Sequence, residues 1–312
     1  MFPPFTPSSE EQIRKAIDAL RRSDLFSVSI EEIKECVKVL LTGHQLSAPI
    51  FNPPVRLHRA RKMKTLPSLL KEIGAPPPDK VLYDQRCNRA GESLFYCSSA
   101  RNAPFFEVHG EVGDQLVLSE WRTTVKMTVN HVGYTRSNFT RLQSTRECPN
   151  WANTTPSFQP TDKMRLVDEF FSSYFSIDVR DGQEHLYRAT IAMTEKLIPT
   201  PTVPGAFGFD GLMYPTIPMN GNCENFALKR EFVERGVEFV KAEYMKIRAI
   251  EGMKMTMDTL DFANSLRPDG GLEWKGRPGR WAVKRGQQVK VSVDEQGEYI
   301  CHDMSGNLVQ ME

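Results

Sequence analysis

The chain has 312 residues and a mass of 35.5 kDa, enough for one large domain or two modest ones. Hydrophobic residues make up 40% of it, which supports a sizeable core and excludes global disorder. Its 40 basic and 39 acidic side chains leave a net charge of +1, so no overall field holds it to nucleic acid or anionic lipid.

The start, MFPPFTPSSEEQIRK, lacks a basic stretch followed by an apolar run, so no secretory signal is read there. No stretch approaches the roughly 18 apolar residues that a membrane span needs. A cytoplasmic protein with reduced thiols is expected, although signal-less export leaves no trace in a sequence. The cysteines at 36, 87, 97, 148, 223 and 301 form no C-x-x-C pair, and the histidines show no H-x-x-x-H spacing. No metal is expected. The sequons at Asn138 and Asn153 then read as chance matches.

Two short helices come first. In SSEEQIRKAIDALRRS, Ser8 and Glu11 read as a capping box ahead of Ile13, Ile17 and Leu20. In SIEEIKECVKVLLTG, Ser29 and Glu32 cap a stripe of Ile33, Val37, Leu40 and Leu41, and Gly43 ends it. A Pro-punctuated linker leads to a short strand around Val55 to Arg59, and PSLLKEIGAPPPDK reads as a helix closed by Gly74 and then three prolines. SLFY is a short apolar strand before the helix-like RNAPFFEVH. DQLVLSEWRTTVKMTVNHVGY alternates long enough for two strands.

Residues 161–179 and the stretch GQEHLYRATIAMTEKLI carry helical periodicity. The loop PTPTVPGAFGFDG separates them from three strands, LMYPTI, ENFALK and VEFVKAEYMKIRAI, the last running to a turn at Glu251–Gly252. After about residue 265 the composition turns glycine- and arginine-rich and then into small hairpins. The expected organisation is a helical extension (1–50), a main α+β domain (51–264) and a β appendage (265–312). EWKGRPGRWAVKRG interleaves Trp274 and Trp281 with basic residues. It is the best candidate surface for nucleic acid or an acidic partner, though a turn-rich appendage is the simpler account.

Strands and helices mix without βαβ alternation, and no G-x-G-x-x-G, P-loop or G-x-S-x-G motif occurs. What remains is a distributed set of polar residues. Arg59 and Arg61 stand in LHRARK, Arg86 and Asn88 in RCNRAG, Tyr96 ends SLFY, and Glu107 lies in FFEVH. Downstream, DGLMYPT ends in Thr216 and CENFAL holds Asn225. Taken in this order and spacing, with Glu107 eleven residues after Tyr96, the chain resembles the RES family over about residues 55 to 235. Family members read yRaR, gRfN..G..alYla, a following Glu, DGi.YpS and N.vl.

The resemblance implies an ADP-ribosyltransferase-like fold and an activity on NAD+, as a toxin restrained by a neutralising antitoxin or immunity protein. It matches Arg59, with Arg61 as rival, and Arg86 to the family arginines, and Tyr96 and Glu107 to the family tyrosine and glutamate. Thr216 stands where the family has serine. It keeps the hydroxyl and adds a methyl.

The chemistry is consistent with this. Guanidinium forks suit a pyrophosphate, the role given to Arg59 and Arg86. A tyrosine face suits the cationic nicotinamide ring, the role given to Tyr96. A carboxylate stabilises an oxocarbenium-like ribose, the role given to Glu107. Thr216 and Asn225 would position the ribose or the carboxamide. Glu111 is the alternative carboxylate, and His58 and His109 read as structural. Three functions compete: NAD+ hydrolysis or phosphorolysis, ADP-ribose transfer to a macromolecule, and a catalytically silent partner-binding module.

Overall fold

A computed structural model describes residues 6–45, 48–149, 160–180, 182–200, 208–252, 254–276, 279–284, 289–293, 299–303 and 305–307. The protein is mixed α+β. In chain order the helices are α1 (Glu10–Arg22), α2 (Ile30–Leu41), α3 (Ala103–Glu107), α4 (Arg136–Arg141), α5 (Asp162–Phe175), α6 (Tyr187–Leu197) and α7 (Arg230–Gly236). The strands are β1 (Ile50–Phe51), β2 (Arg56–Lys62), β3 (Leu94–Ser98), β4 (Gln115–Thr123), β5 (Met127–His131), β6 (Gly211–Pro215) and β7 (Glu224–Lys229). They continue with β8 (Val237–Glu251), β9 (Lys254–Leu266), β10 (Leu272–Trp274), β11 (Gly279–Lys284), β12 (Val289–Val293) and β13 (Tyr299–Asp303). Among the described residues no helix is long and apolar enough to cross a membrane.

The chain divides into two compact units with interleaved segments. One comprises Met1–Ile50, Pro77–Leu94 and Thr128–Pro215; the other comprises Phe51–Pro76, Phe95–Met127 and Thr216–Glu312. The first segment break falls where the helical extension was expected to end. The extension itself packs within the first unit.

In the first unit, α1 and α2 each open on a reciprocal capping box. Ser29 and Glu32 form the one on α2 as read from sequence, whereas on α1 it is Ser9 and Gln12, one residue beyond the expected pair. Ser8 instead turns its hydroxyl onto the Val39 carbonyl at 2.7 Å. The helices bury Ile13, Ile17, Leu20, Ile33, Val37 and Leu40, and α5 buries four phenylalanine and aliphatic positions at helical spacing, Val167, Phe170, Phe171 and Phe175. Charged side chains fasten this hairpin to α6. Glu195 receives Arg89 and Lys34, each at 2.6 Å, and Arg188 donates to the carbonyls of Leu25, Phe26 and Val28. A parallel pair, β5 with β6, completes the unit.

In the second unit the strands run in the order β7-β3-β2-β4-β8-β9-β10, with β11 also on β9. The pairings of β2 with β3 and β4, of β4 with β8, and of β8 with β9 are antiparallel. The β8–β9 hairpin turns at Gly252, whose φ of 60° suits a residue without a Cβ. One face buries Ala60, Leu116, Leu118, Met245, Ile247, Met255 and Met257 beneath Phe105 of α3. The other buries Leu57, Phe95, Cys97 and Trp121, with Phe95 and Phe239 edge-on to the tryptophan. The stretch expected as a helix around residue 70 forms only a single 3₁₀ turn, Leu70–Glu72. β12 and β13 pair with each other as a separate two-stranded sheet.

Candidate functional site

Strand alternation sorts the second unit's polar residues by face. His58 pairs with Ser98 and with Glu120, and Glu120 with Lys241, so these four share the α3 face. Tyr96, two residues from Ser98 on β3, belongs to the same face. Glu107 closes the five-residue α3, a helix too short to hold itself and therefore dependent on packing. Its Oε1 accepts from Asn225 Nδ2 at 2.7 Å, and Asn225 Oδ1 accepts from Ser98 Oγ at 2.5 Å. The carboxylate is thereby aimed by a two-step chain reaching from α3 to β7 and β3. Asn225 is 5% exposed and Ser98 2%.

From Ser98 a row of charge continues across β2, β4 and β8. His58 Nε2 lies 3.9 Å from Glu120 Oε2, which lies 3.7 Å from Lys241 Nζ, itself 3.7 Å from Glu243 Oε1. Arg101 Nη2 donates to Glu243 Oε2 at 2.6 Å, with both side chains almost fully buried. Arg56 stands at the solvent rim, 3.8 Å from Glu120. His58 is held neutral, its pKa pushed down to about 3 by burial first and then by the charges of Arg101, Lys241 and Arg56; the Ser98 backbone opposes the shift. Cys301 on β13 is buried within electrostatic reach of Arg101, Glu243 and Lys241, and burial raises its thiol pKa.

Arg59 and Arg61 alternate with His58 and point to the opposite face from Glu107. The Arg59 guanidinium sits 5.4 Å from the Phe95 ring and donates to the Tyr96 carbonyl at 2.8 Å. Burial, then the neighbouring Arg61, lowers its pKa to about 10. Arg61 donates to the Glu72 carbonyl at 2.8 Å. Thr216 is fully buried, its hydroxyl 3.4 Å from the Cys223 sulfur.

Arg86 and Asn88 belong to the first unit. Arg86 donates to the carbonyls of Phe175 and Ile177 at the end of α5, beside the rings of Tyr187 and Tyr214. Asn88 staples its own turn through the Arg89 and Glu92 carbonyls. Asp210 of DGLMYPT accepts from the Thr128 amide there.

The structure thus brings Tyr96, Glu107 and Asn225 to one face and does not bring Arg59 or Arg61 to them. Glu111 lies exposed in the turn after α3, and His109 is exposed as well. Asn138 is buried with its amide on the Gly133 carbonyl, while Asn153 lies outside the described residues. Trp274 donates to the Pro67 carbonyl and packs by Tyr244. Part of the basic stretch around Trp281 lies outside the described residues. Among the described residues no group of three His, Cys, Asp or Glu side chains is placed to hold a metal ion.

Sequence reasoning missed Ser98, Arg101, Glu120, Lys241 and Glu243. The strand alternation around Glu120 and Lys241 carried a signal, since it puts both on one face of their strands. Set against protein-family models, curated proteins and solved structures, the chain finds no match.

Proposed function

We propose that this protein cleaves the nicotinamide–ribose bond of NAD+ on an ADP-ribosyltransferase-like core, with water or phosphate as the acceptor. One observation carries the reading: Glu107 is held by Asn225, itself held by Ser98, on the strand face that also carries Tyr96. A carboxylate fixed by a neighbouring amide stays in place while positive charge builds on the ribose, which is the condition for electrostatic stabilisation.

The step follows glycosidic chemistry. The C1′–N1 bond breaks with its electron pair moving to the pyridinium nitrogen, and nicotinamide leaves neutral. The oxocarbenium-like ribose is stabilised by Glu107 and captured by water or phosphate oxygen at C1′; the water's proton is released. Tyr96 offers the nicotinamide ring a stacking face. Asn225 positions Glu107 rather than the substrate in this reading.

The test is nicotinamide release from NAD+ by the full chain, with and without phosphate, beside Glu107→Gln and Asn225→Ala. Loss of about 10²-fold or more in kcat is expected for Glu107→Gln, with a smaller loss for Asn225→Ala. Absence of release by the wild-type protein refutes the reading. Release that survives Glu107→Gln removes the assignment of that residue. Label from NAD+ appearing on a macromolecule redirects the acceptor.

A further inference from the structure

Within the first unit, α1, α2 and α5 leave between them a cavity of about 30 Å³ that is partly open to solvent. The polar part of its wall is Ser8, Thr42, Gly43, His44, Thr161 and Lys163. A water needs at least about 10–15 Å³ of such space, so the cavity has room for two waters, or for one small tetrahedral oxyanion at its mouth. None of the residues matched to the NAD+ reading lines it.

Two side chains of the wall ask for a ligand. The His44 side chain is 7% exposed, and its Nδ1 makes no hydrogen bond among the described residues. Its Nε2 lies 3.3 Å from Asp168 Oδ1 on α5, a carboxylate that holds the ring proton on that nitrogen. Nδ1 is then a buried lone pair left for the cavity, an acceptor that lacks a donor. Lys163 presents the opposite need. Its Nζ donates to the Ser8 carbonyl at 3.2 Å and makes no ion pair among the described residues, so further N–H groups remain. Beside it, Thr161 caps the 14-residue α5 by taking the Met164 amide, and the Asp162 and Lys163 amides have no partner within the helix.

The nearby carboxylates do not cancel this charge. Asp162 is turned out to solvent, 91% exposed, and pairs with Arg165 at 2.7 Å; Asp168 faces His44; neither lines the cavity. The ammonium and the positive end of α5 therefore favour an anion, while Nδ1 needs a hydroxyl. Sulfate and carboxylates offer acceptors only at neutral pH. A phosphomonoester, with its second pKa of about 6, has mostly lost its P–OH there as well. Inorganic phosphate keeps a hydroxyl beside its charged oxygens and answers both sides of the wall.

We propose that this cavity is a binding site for inorganic phosphate. Lys163 Nζ and the first amides of α5 donate to the charged oxygens, and the phosphate hydroxyl donates to His44 Nδ1. Asp168 acts at one remove, by fixing the imidazole tautomer. The site shares no residue with the NAD+ reading and stands whether or not NAD+ is cleaved.

The experiment is calorimetric titration of the full-length protein at neutral pH and constant ionic strength with phosphate, sulfate and glycerol phosphate, for wild type, Lys163→Gln and His44→Ala. Wild type is expected to bind phosphate about tenfold or more tightly than either comparison anion, as one hydrogen bond to an otherwise empty buried acceptor provides. Lys163→Gln should weaken phosphate by about tenfold or more, as loss of a charged donor does. His44→Ala should bring phosphate and sulfate to equal affinity. Should His44→Ala fail to fold, the wild-type preference and the Lys163→Gln loss decide. No binding of millimolar phosphate, or unchanged binding by Lys163→Gln, overturns the proposal. So does equal affinity of wild type for phosphate and either comparison anion, which would mean an adventitious ion only.

Discussion

His58 offers the most quantitative test of the buried row. Its imidazole is 7% exposed, faces Glu120 and lies in the field of Arg101, Lys241 and Arg56, and its pKa falls to about 3 from an ordinary 6.5. Because the folded pKa lies below the unfolded one, the unfolded chain binds the proton first as pH falls. Stability is then unaffected by His58 above about pH 6.5 and declines from there towards pH 3. Each pH unit in that window costs about 1.4 kcal/mol, so at about pH 4.5 the residue destabilises the protein by about 2.7 kcal/mol relative to neutral pH. His58→Gln removes this contribution. Urea unfolding of both proteins between neutral pH and pH 4.5 should show the wild type losing more by about that amount, after any constant offset of the variant. Parallel curves would mean that His58 protonates normally in the folded state, and the account of a neutral, buried imidazole would fall.

The ion pair at the end of the row makes a second prediction. Arg101→Met leaves Glu243 buried with Lys241 at 3.7 Å and should cost about 3–5 kcal/mol. Arg101→Met combined with Glu243→Leu should recover most of that in the same unfolding measurement; a single variant costing under about 1 kcal/mol would refute the burial. In the other unit, Ser29→Ala removes the hydroxyl half of the α2 capping box and should cost about 0.5–2 kcal/mol, measured by thermal unfolding. No loss there would show that Glu32 alone caps the helix.

Local patterns were readable where one short period decides the structure. Ser29 with Glu32 gave the start of α2, the helical stripe of α5 was visible in its phenylalanines, and the alternation in VEFVKAEYMKIRAI gave β8. The α1 cap slipped by one because two serines stand side by side and only tertiary contact separates them: Ser8 goes to Val39 on the neighbouring helix. The prolines after residue 74 marked the end of a helix, yet only one 3₁₀ turn, Leu70–Glu72, precedes them, with Glu72 accepting from the Ser68 and Leu69 amides at its start.

The site was only half legible. Tyr96, Glu107 and Asn225, picked out by motif and spacing, share one face. Lys241 and Glu243 in KAEYMK look like the solvated side of an alternating strand, and only long-range pairing reveals that they are covered. Arg101 and Glu243 meet across 142 residues of chain, which no local window spans. Arg59 was assigned to the Glu107 side although its neighbour His58 occupies that face. The alternation within LHRARK separates the two, but which goes where depends on the partner strand.

The same row bears on how these strands find one another. Hydrophobic residues alone tolerate several alignments of β2, β4 and β8. Sliding any of them by one position would exchange its two faces. For β4 that slip would drive Glu120 among Phe95, Phe239 and Leu57 and lift Trp121 towards Lys241. Each charged residue in the row therefore penalises a misaligned sheet more than it stabilises the aligned one. The polar line acts as an error check on assembly, written into the strands that carry the site.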